Sequence, residues 1–515
     1  MARFVFASMV RVVAAGSLVA ALVLVWTVPA EAAALVDCNA NPLALQPAID
    51  AASPGSTLSI SGTCLGTFTV SKNLTLKGAP AALDAQGGGT TLTVSSGKVE
   101  LIGLMITGGT GTDACPPSGG CFQGGGILNF GTLTVTRSTI SGNSAPLVGG
   151  GIANGGALQG SGTLKIIHST VSGNTSAFGG GVFSASNSAL TVTDSAVSGN
   201  AAPGGGGGGI ESIGTTLNVT NSSISGNSGG IGGGILCEAG SISHSTVTGN
   251  TASSPSGLGG GGIYTNGPLT ITKSTVSGNT SALYGGGILN GNGQLIVISS
   301  TVSQNTSASV GGGIYTSRFL DVTNSTVSGN SAGSNGGGIF NDFGEVIVDS
   351  STVSGNSSTS NGGGIFTQNS LTLFSTTVSD NSAASGGGIF QDNYGSTKFF
   401  ASIDAGNPGG DCAGSGAVIS EWYNVVGADC GFSSSGDQTV ADTARAIGIK
   451  PLGGHGGNTQ TMPLRRTSPA VDAISIGAVA GDGTQLCPDS GGIDQRGVAR
   501  PQGSACDVGA YELKP

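Results

Sequence analysis

Charged residues are scarce in this chain: Asp, Glu, Lys and Arg together make up 9% of its 515 residues. The formal net charge is -10, and no cluster of Lys or Arg occurs in the body of the chain. Because phosphate binding needs a basic surface, we expect no nucleic-acid partner. Only three histidines are present, and neither Cys-x-x-Cys nor His-x-x-x-His spacing occurs. We therefore predict no metal site of the zinc type and no cofactor, and leave calcium as the one alternative.

Glycine is abundant, with 97 residues, while aromatic residues make up 5% of the chain. This composition is far from that of an ordinary globular enzyme. Hydrophobic residues still amount to 37% and recur regularly, so the chain can supply a buried face and is not expected to be disordered.

The first segment has the pattern of a signal peptide. Two arginines precede an apolar run over residues 12–28, which leads to the small residues of "PAEAAA". We predict a cleaved signal peptide over residues 1–34, and the alternative is a single N-terminal membrane anchor. The run is short and its end is typical of cleavage, so we expect an exported mature chain without a transmembrane segment.

Export agrees with the cysteines, because disulfides persist outside the cytosol. Pairing each cysteine with its neighbour in sequence gives four candidate disulfides: Cys38–Cys64, Cys115–Cys121, Cys412–Cys430 and Cys487–Cys506. Sequence does not fix this connectivity. Cys237 is left over, and we interpret it as a buried free thiol rather than a catalytic cysteine, which would need a nearby base.

Two phrases recur about every 25 residues and stay in phase. The first is Gly-Gly-Gly-(Ile/Val), whose aliphatic residue is Ile127, Ile152, Val182, Ile210, Ile235, Ile263, Ile288, Ile314, Ile339, Ile365 or Ile389. The second is usually Ser-Gly-Asn and ends at Asn143, Asn174, Asn200, Asn227, Asn250, Asn279, Asn305, Asn330, Asn356 and Asn381. One structural unit is therefore repeated many times.

Each unit contains short runs with period two, such as "LDVTNSTVS", which is typical of β-strands. Strands this short cannot bury a core within one unit, whereas stacked units can line a continuous interior. We therefore predict an all-β, single-stranded parallel β-solenoid with rungs of about 25 residues. The asparagines would form a structural ladder at one corner, because an Asn amide can bond to the rungs above and below.

The repeats resemble those of bacterial polymorphic outer membrane proteins, over residues 124 to about 389. The stretch "LQPAIDAASPGSTLSISGTCLGTFTVSKNLTLKG" resembles the opening of pectin-lyase-like proteins. That resemblance implies a right-handed parallel β-helix, with a short N-terminal helix capping the first rung through Leu45, Ile49 and Ala52.

The tail resembles the choice-of-anchor Q domain, through "GNPGGDC", "YNVVG", "PLGGHGGNTQTMPL", "SPAVDA", "DQRGVARP" and "CDVGAYEL". This resemblance implies a location in the bacterial envelope and assigns no activity. We divide the chain into four parts: 1–34, the signal peptide; 35–123, the cap and first rungs; 124–400, the repeat β-helix; and 401–515, the last rungs with a loop-rich capping domain. We expect the tail's Asp and Arg side chains to tie its loops together through bidentate pairs.

The sequence offers few catalytic candidates. Asp342, Glu345 and Asp349 are close in sequence, and β-helix enzymes that act on polysaccharides use clustered carboxylates, often with calcium. His455 lies in Gly-His-Gly, which resembles a motif of polygalacturonases, but their paired aspartates and Arg-x-Lys element do not appear. His168 and His244 lie beside the Ser-Thr-Val phrase, and we interpret them as outward corner residues.

One feature indicates a ligand. The residue that follows Gly-Gly-Gly-(Ile/Val) is aromatic in six rungs: Phe183, Tyr264, Tyr315, Phe340, Phe366 and Phe390. If the preceding aliphatic residue points inward, these side chains form an external stripe that could bind glycans or proteins. The alternative is that they turn into the core at a corner.

The sequence therefore predicts a secreted or cell-surface, adhesin-like β-helix protein, monomeric, that binds glycans or partner proteins along its solenoid face. A polysaccharide lyase or glycoside hydrolase is the first alternative, and a passive spacer is the second.

Overall fold

The computed structural model describes residues 34–111, 124–155, 161–254, 258–441, 444–488 and 491–514. The predicted signal peptide, apart from Ala34, and the predicted pair Cys115–Cys121 lie outside these residues. The described chain confirms the predicted fold class: it winds into a right-handed parallel β-helix of about 14 turns with 3% helix.

Each turn contributes up to three short strands to the main sheet, and each strand pairs in parallel with its counterpart one turn away. The first column begins with Phe68–Val70 and Leu92–Val94 and continues with Ile127–Asn129, Ile152–Asn154, Val182–Ser184, Ile263–Thr265, Ile288–Asn290, Ile314–Thr316, Ile339–Asn341, Ile365–Thr367, Ile389–Gln391 and Cys412–Gly414. These strands hold the aliphatic residues of the Gly-Gly-Gly phrase.

The second column holds the alternating runs. Its strands are Ala34–Asp37, Thr132–Thr136, Thr163–Ile167, Ala189–Thr193, Leu269–Thr272, Leu295–Ile298, Leu320–Thr323, Val346–Asp349, Leu371–Phe374, Ser396–Phe400 and Ala417–Ser420. Two longer strands, Ile210–Thr220 and Ile235–Ser243, serve the first and second columns together.

The third column carries the Thr-Val-Ser phrase. Its strands are Thr139–Ser141, Thr170–Ser172, Ala196–Ser198, Ser223–Ser225, Thr246–Thr248, Thr275–Ser277, Thr301–Ser303, Thr326–Ser328, Thr352–Ser354, Thr377–Ser379, Ile403–Asp404, Val425–Gly427 and Gln438–Val440. In the first turns, Thr57–Leu65, Leu74–Asp84 and Lys98–Thr107 run through both the second and third columns.

A separate small sheet follows the asparagine corner. It consists of Ala201–Ala202, Ser228–Gly229, Thr251–Ala252, Thr280–Ser281, Thr306–Ser307, Ser331–Ala332 and Ser357–Ser358.

Alternation within the strands builds the interior. In Leu320–Thr323, Leu320 and Val322 are fully buried, whereas Asp321 and Thr323 are half-buried. The same pattern in successive turns gives one apolar cluster that runs from Val36 to Cys412. Each fully buried Leu, Ile or Val side chain contributes roughly 1.5–3 kcal/mol, so the stack supplies the stability that no single turn has.

The predicted N-terminal helix spans Leu45–Ala51 and buries Leu45 and Ile49 against the first turn, with Ala52 partly buried beside them. It covers interior side chains that would otherwise face water at the open end of the solenoid.

The C-terminal part contains little regular structure: a 3-10 turn at Ala428–Cys430, a helix at Ala444–Ile447 and an antiparallel pair, Gly492–Ile493 with Ala499–Arg500. It does more than cap the end. It folds back along the side of the third column, where Thr326 Oγ1 donates to the Gln460 carbonyl at 2.6 Å and Thr352 Oγ1 donates to Gln495 Oε1 at 2.6 Å. The chain's tail is thereby fixed against turns that precede it by more than 130 residues.

Within the described residues, no helix is long and apolar enough to cross a membrane.

Candidate functional site

The predicted asparagines form a continuous buried ladder at one corner. Each Nδ2 donates to the Oδ1 of the asparagine in the next turn at 2.9–3.0 Å, from Asn143 to Asn381, and Asn407 adds one further turn. The backbone N–H of each asparagine donates to the same oxygen; for Asn330 and Asn356 this distance is 3.0 Å. The ladder satisfies buried polar groups in every turn, and its role is structural.

The Gly-Gly-Gly corner lies directly against this ladder. A Cβ at Gly313 would lie 2.6 Å from the Gly338 carbonyl oxygen and 2.9 Å from Asn330 Nδ2. A side chain there would separate the turns, so glycine is required by the close approach of the backbone.

The predicted aromatic stripe lies outside the solenoid interior but is largely covered. Phe183, Phe340 and Phe366 are buried, whereas Tyr264, Tyr315 and Phe390 are half-buried. Strand alternation directs these rings away from the interior, and they are not members of the interior cluster. The glycine corner then packs over them: a Cβ at Gly336 would lie 2.7 Å from that of Phe340. The rings therefore lie in small buried clusters of their own, outside the solenoid interior and only partly accessible to solvent.

Five rings stack along the solenoid axis. The centroid distances are 5.2 Å for Tyr284–Tyr315, 5.4 Å for Tyr315–Phe340, 4.9 Å for Phe340–Phe366 and 5.3 Å for Phe366–Phe390. These distances follow from the strand spacing, which places identical positions of neighbouring turns within stacking range.

Tyr284 is a member of this stack that the sequence pattern does not predict. It precedes Gly285, whereas the other members follow the aliphatic residue of the phrase. In its own turn the expected position is held by Leu289, which is buried. The only signal in the sequence is an aromatic residue next to a glycine corner.

The stack opens to solvent at its N-terminal end, in a pocket of about 280 Å³. We call this the tyrosine pocket, and its principal lining residues are Leu258, Tyr264, Tyr284, Asn292, Tyr315 and Arg318. Leu258 and Arg318 are exposed, and the three tyrosines are half-buried. The pocket therefore combines ring faces and edges with polar groups at an open mouth, as sites for small ligands do.

Hydrogen bonds fix the polar side of the tyrosine pocket. The Tyr315 hydroxyl donates to Asp342 Oδ2 at 2.8 Å, and Arg318 Nε donates to Asn292 Oδ1 at 3.0 Å. Burial raises the pKa of Tyr315, with the Asp342 carboxylate as a further cause, and burial also raises the pKa of Tyr264. Both phenols are therefore neutral hydroxyls at physiological pH, able to donate one hydrogen bond each.

The catalytic candidates do not form one cluster. Asp342 is half-buried and bonded to Tyr315, while Glu345 is exposed. Asp349 lies in the second column, where burial raises its pKa. In the described chain, the one group of three metal-ligand side chains within reach of an ion is Asp404, Cys412 and Cys430. Its two cysteines form a disulfide, and thiolates are what such a site would need.

His455 is exposed on the C-terminal loop, and its carbonyl accepts a hydrogen bond from Arg496 Nη1 at 3.5 Å. His168 lies at an outward corner, where its Nε2 is 3.6 Å from Asp194 Oδ2. Such an exposed pair contributes little to stability.

The tail charges tie loops together. Arg496 Nε donates to Asp494 Oδ2 at 2.9 Å, and its guanidinium lies 3.5 Å from the centroid of the Tyr511 ring. Arg500 is buried, with Nη1 3.5 Å from Glu512 Oε2. These contacts hold the antiparallel pair of the C-terminal part in place.

Three of the predicted disulfides are present: Cys38–Cys64, Cys412–Cys430 and Cys487–Cys506. Cys237 is a buried free thiol, and burial raises its pKa to about 12. A thiol with this pKa is not a nucleophile at neutral pH.

Glu211 is a buried carboxyl in the stripe position, between Phe183 and Leu236 of the neighbouring turns. The backbone N–H of Gly207 donates to its Oε2 at 3.1 Å. Burial raises the pKa of Glu211 to about 7. It interrupts the apolar stripe and is not among the functional residues predicted from the sequence.

The sequence-family model of the Chlamydia polymorphic membrane protein repeat matches residues 299–317 and 350–368 of this chain. No curated protein matches the chain. Among solved structures, it is similar to pectate lyase Pel9A, with 13% identity, coverage of 91% of this chain and 90% of that one, and a TM-score of 0.25. It is also similar to the periplasmic alginate epimerase AlgG, with 12% identity, coverage of 75% and 83%, and a TM-score of 0.32. The repeats and disulfides fit an exported or cell-surface protein. The described chain is a parallel β-helix, and two of its repeats match the polymorphic membrane protein repeat.

Proposed function

We propose that this surface β-helix protein is a glycan-binding, adhesive module, and that the tyrosine pocket is its contact point on the stripe-bearing face. The observation that carries the proposal is the convergence of three half-buried tyrosines, from neighbouring turns, around an open mouth that also holds Arg318.

The chemistry of the pocket suits a sugar ring. A pyranose has apolar C–H faces, which pack on aromatic rings, and a rim of hydroxyls, which bond to polar side chains. Arg318 and Asn292 offer donors and an acceptor at the rim, and Asp342 orients the Tyr315 hydroxyl. The pocket volume of about 280 Å³ is at the small end for ligand sites, which fits one or two sugar units of a longer chain.

The surrounding surface can extend such a contact along the solenoid. Phe343 and Tyr394 lie in turns that follow stripe strands, and their side chains are 66% and 79% exposed. These two side chains add exposed ring faces on the side of the solenoid that bears the stripe. A polymer laid along the axis from the tyrosine pocket would meet both rings.

Depolymerisation of a polysaccharide is the alternative, and the geometry favours it less. General acid–base chemistry needs two groups on opposite sides of one bond. The carboxylate nearest the pocket, Asp342, already accepts the Tyr315 hydroxyl, and the pocket lining that we describe adds no second acid.

The test incubates the purified protein with soluble polysaccharides, with and without calcium, and follows polymer size and co-elution by chromatography. We expect co-elution with an intact polymer, weakened at least tenfold by Arg318→Ala and by Tyr284→Ala, neither of which alters a strand. Arg466→Ala removes an exposed arginine outside the pocket and serves as the matched control for Arg318→Ala, with no effect on binding expected. Shortened polymer would replace adhesion by a lyase or hydrolase activity, and absence of both would leave a protein partner or a spacer.

A further inference from the structure

A second groove lies on a different face, between the third column and the overhanging C-terminal loop of residues 452–460. Its volume is about 700 Å³. The solenoid side is formed by residues on or just after the Thr-Val-Ser strands, and the loop side includes Leu452, Asn458 and Gln460. The loop is fastened at its base, where Thr459 Oγ1 donates to the Asn324 carbonyl at 3.2 Å. The groove therefore has a fixed wall and a fixed floor.

The floor contains the two exceptions to the repeat. The residue before each ladder asparagine is glycine in eight of ten turns, with φ between +61° and +67°. The exceptions are Gln304 and Asp380, which adopt the same left-handed backbone at φ +56° and +60°. A side chain in this conformation costs backbone energy that glycine does not. Both exceptions line this one groove, on either side of Gly329 and Gly355.

Among the ten ladder turns, only these two depart from glycine before the asparagine, and both line the groove, which points to a role for their side chains there. Among the described residues, neither the Asp380 carboxylate nor the Gln304 amide has a hydrogen-bond partner. Partial burial raises the pKa of Asp380. Both side chains reach solvent in the groove, so their polar groups are available to a ligand.

The ligand class follows from the lining. No Lys, Arg or His is among the lining residues, so the one carboxylate disfavours an anionic ligand. The third-column strands are paired on both sides, so a peptide cannot add to them as a strand. Leu452 is the one large apolar side chain of the lining, which leaves a peptide without side-chain pockets. Serines instead repeat once per turn along the floor, with Ser303 half-buried and Ser328 and Ser354 buried.

We propose that this groove is a second glycan site, which takes a linear oligosaccharide without acidic groups between Gln304 and Asp380. These residues lie three turns apart, which is about 14 Å at the usual strand spacing, so the groove holds about three sugar units. Hydroxyls of the terminal units bond to the Asp380 carboxylate and the Gln304 amide, and the central unit lies over the two glycines. The site is independent of the tyrosine pocket.

The test uses variants that restore the repeat's own residue. Asp380→Gly and Gln304→Gly should each weaken binding at least tenfold without lowering the melting temperature, because glycine relieves the left-handed backbone. Asp380→Asn removes the charge but keeps the side-chain size, so it shows whether binding depends on the carboxylate charge. Asp194→Gly makes the same change at another left-handed position, φ +48°, outside the groove, and is the matched control. Tyr284→Ala shows that the tyrosine pocket is not involved.

Calorimetric titration with cellotriose, xylotriose and maltotriose tests neutral ligands, and trigalacturonate tests an anionic one. We expect at least one neutral trisaccharide to bind the wild-type protein, with trigalacturonate at least tenfold weaker. The proposal is overturned if none of the neutral probes binds, if trigalacturonate binds more tightly, or if the two glycine variants bind like the wild type. An equal loss in Asp194→Gly would also overturn it.

Discussion

Removing one ladder asparagine tests whether the corner hydrogen bonds hold the turns together. Asn330 accepts the backbone N–H of Asn305 at 3.0 Å and the Nδ2 of Asn305 at 2.9 Å. Its own Nδ2 donates to the Val302 carbonyl at 3.0 Å and to Asn356 Oδ1 at 2.9 Å. Asn330→Ala deletes all four bonds in a fully buried position.

The main cost comes from the Asn305 backbone N–H, which has no other acceptor. A buried donor without a partner costs about 1–3 kcal/mol, and the weakened bonds of Val302 and the Asn305 amide add a further fraction. We therefore expect about 3 kcal/mol of local destabilisation. Each turn bonds to its two neighbouring turns, and this one bonds also to the folded-back tail through Thr326. The loss should therefore stay within one or two turns and the tail segment on them, and should lower global stability less.

Native-state hydrogen exchange measures this local loss of stability directly. A loss of about 3 kcal/mol should speed exchange around Asn305 by about 10²-fold, while amides of the first turns stay protected. Asn266→Ala, at an exposed asparagine, is the control for the chemical change. Unchanged protection at Asn305, or an equal loss in the control, would refute the reasoning that the ladder satisfies otherwise orphaned backbone groups.

Three further predictions concern buried polar groups. Burial raises the pKa of Glu211 from 4.5 to about 7, so the folded state binds this proton more tightly than the unfolded state. The free energy of unfolding should therefore fall by about 3 kcal/mol as pH rises between these values. Urea unfolding of Glu211→Gln should show a weaker pH dependence. Gln495→Ala removes the hydrogen bonds of Gln495 to Thr352 Oγ1 at 2.6 Å and to the Ser325 carbonyl at 3.0 Å. Limited proteolysis should then cut the C-terminal part faster. Gln294→Ala, at an exposed glutamine, should leave the cleavage rate unchanged. Cys237 should resist alkylation at neutral pH until the protein is denatured, as mass spectrometry of the intact chain can show.

The repeat itself could be predicted from the sequence because one period serves every level of the structure. The phase of Ile314 and Asn330 within their turns fixes which residues are buried and which form the ladder. Every turn repeats the same local environment, so a rule that holds for one turn holds for its neighbours.

The burial of the aromatic stripe was harder to predict because two local rules compete at its position. Strand alternation directs the ring of Phe340 outward, but the path of the glycine corner decides whether it is covered. That path depends on the contact between Gly336 and the Phe340 Cβ, which no pattern in one turn encodes. Tyr284 was missed for the same reason, since its ring reaches the stack from the corner.

The folded-back tail could not be predicted at all from local sequence. Thr-Val-Ser occurs at Thr301–Ser303, where the threonine is half-buried, and at Thr326–Ser328, where the tail buries it. The two phrases are identical, so the difference comes only from contacts with distant residues such as Gln460 and Gln495.

The geometry of a solenoid also explains why binding is better supported than depolymerisation. Neighbouring turns bring residues of the same phase to within one strand spacing, about 4.8 Å, whereas residues of different phase face different sides. Asp342 and Asp349 differ in phase: Asp342 follows a first-column strand, whereas Asp349 ends a second-column strand. The tyrosines share one side of the solenoid, and so do Gln304 and Asp380. The chain therefore concentrates ring faces and hydrogen-bonding groups in rows along its axis, which suits an extended polymer, and it separates the predicted carboxylates Asp342 and Asp349.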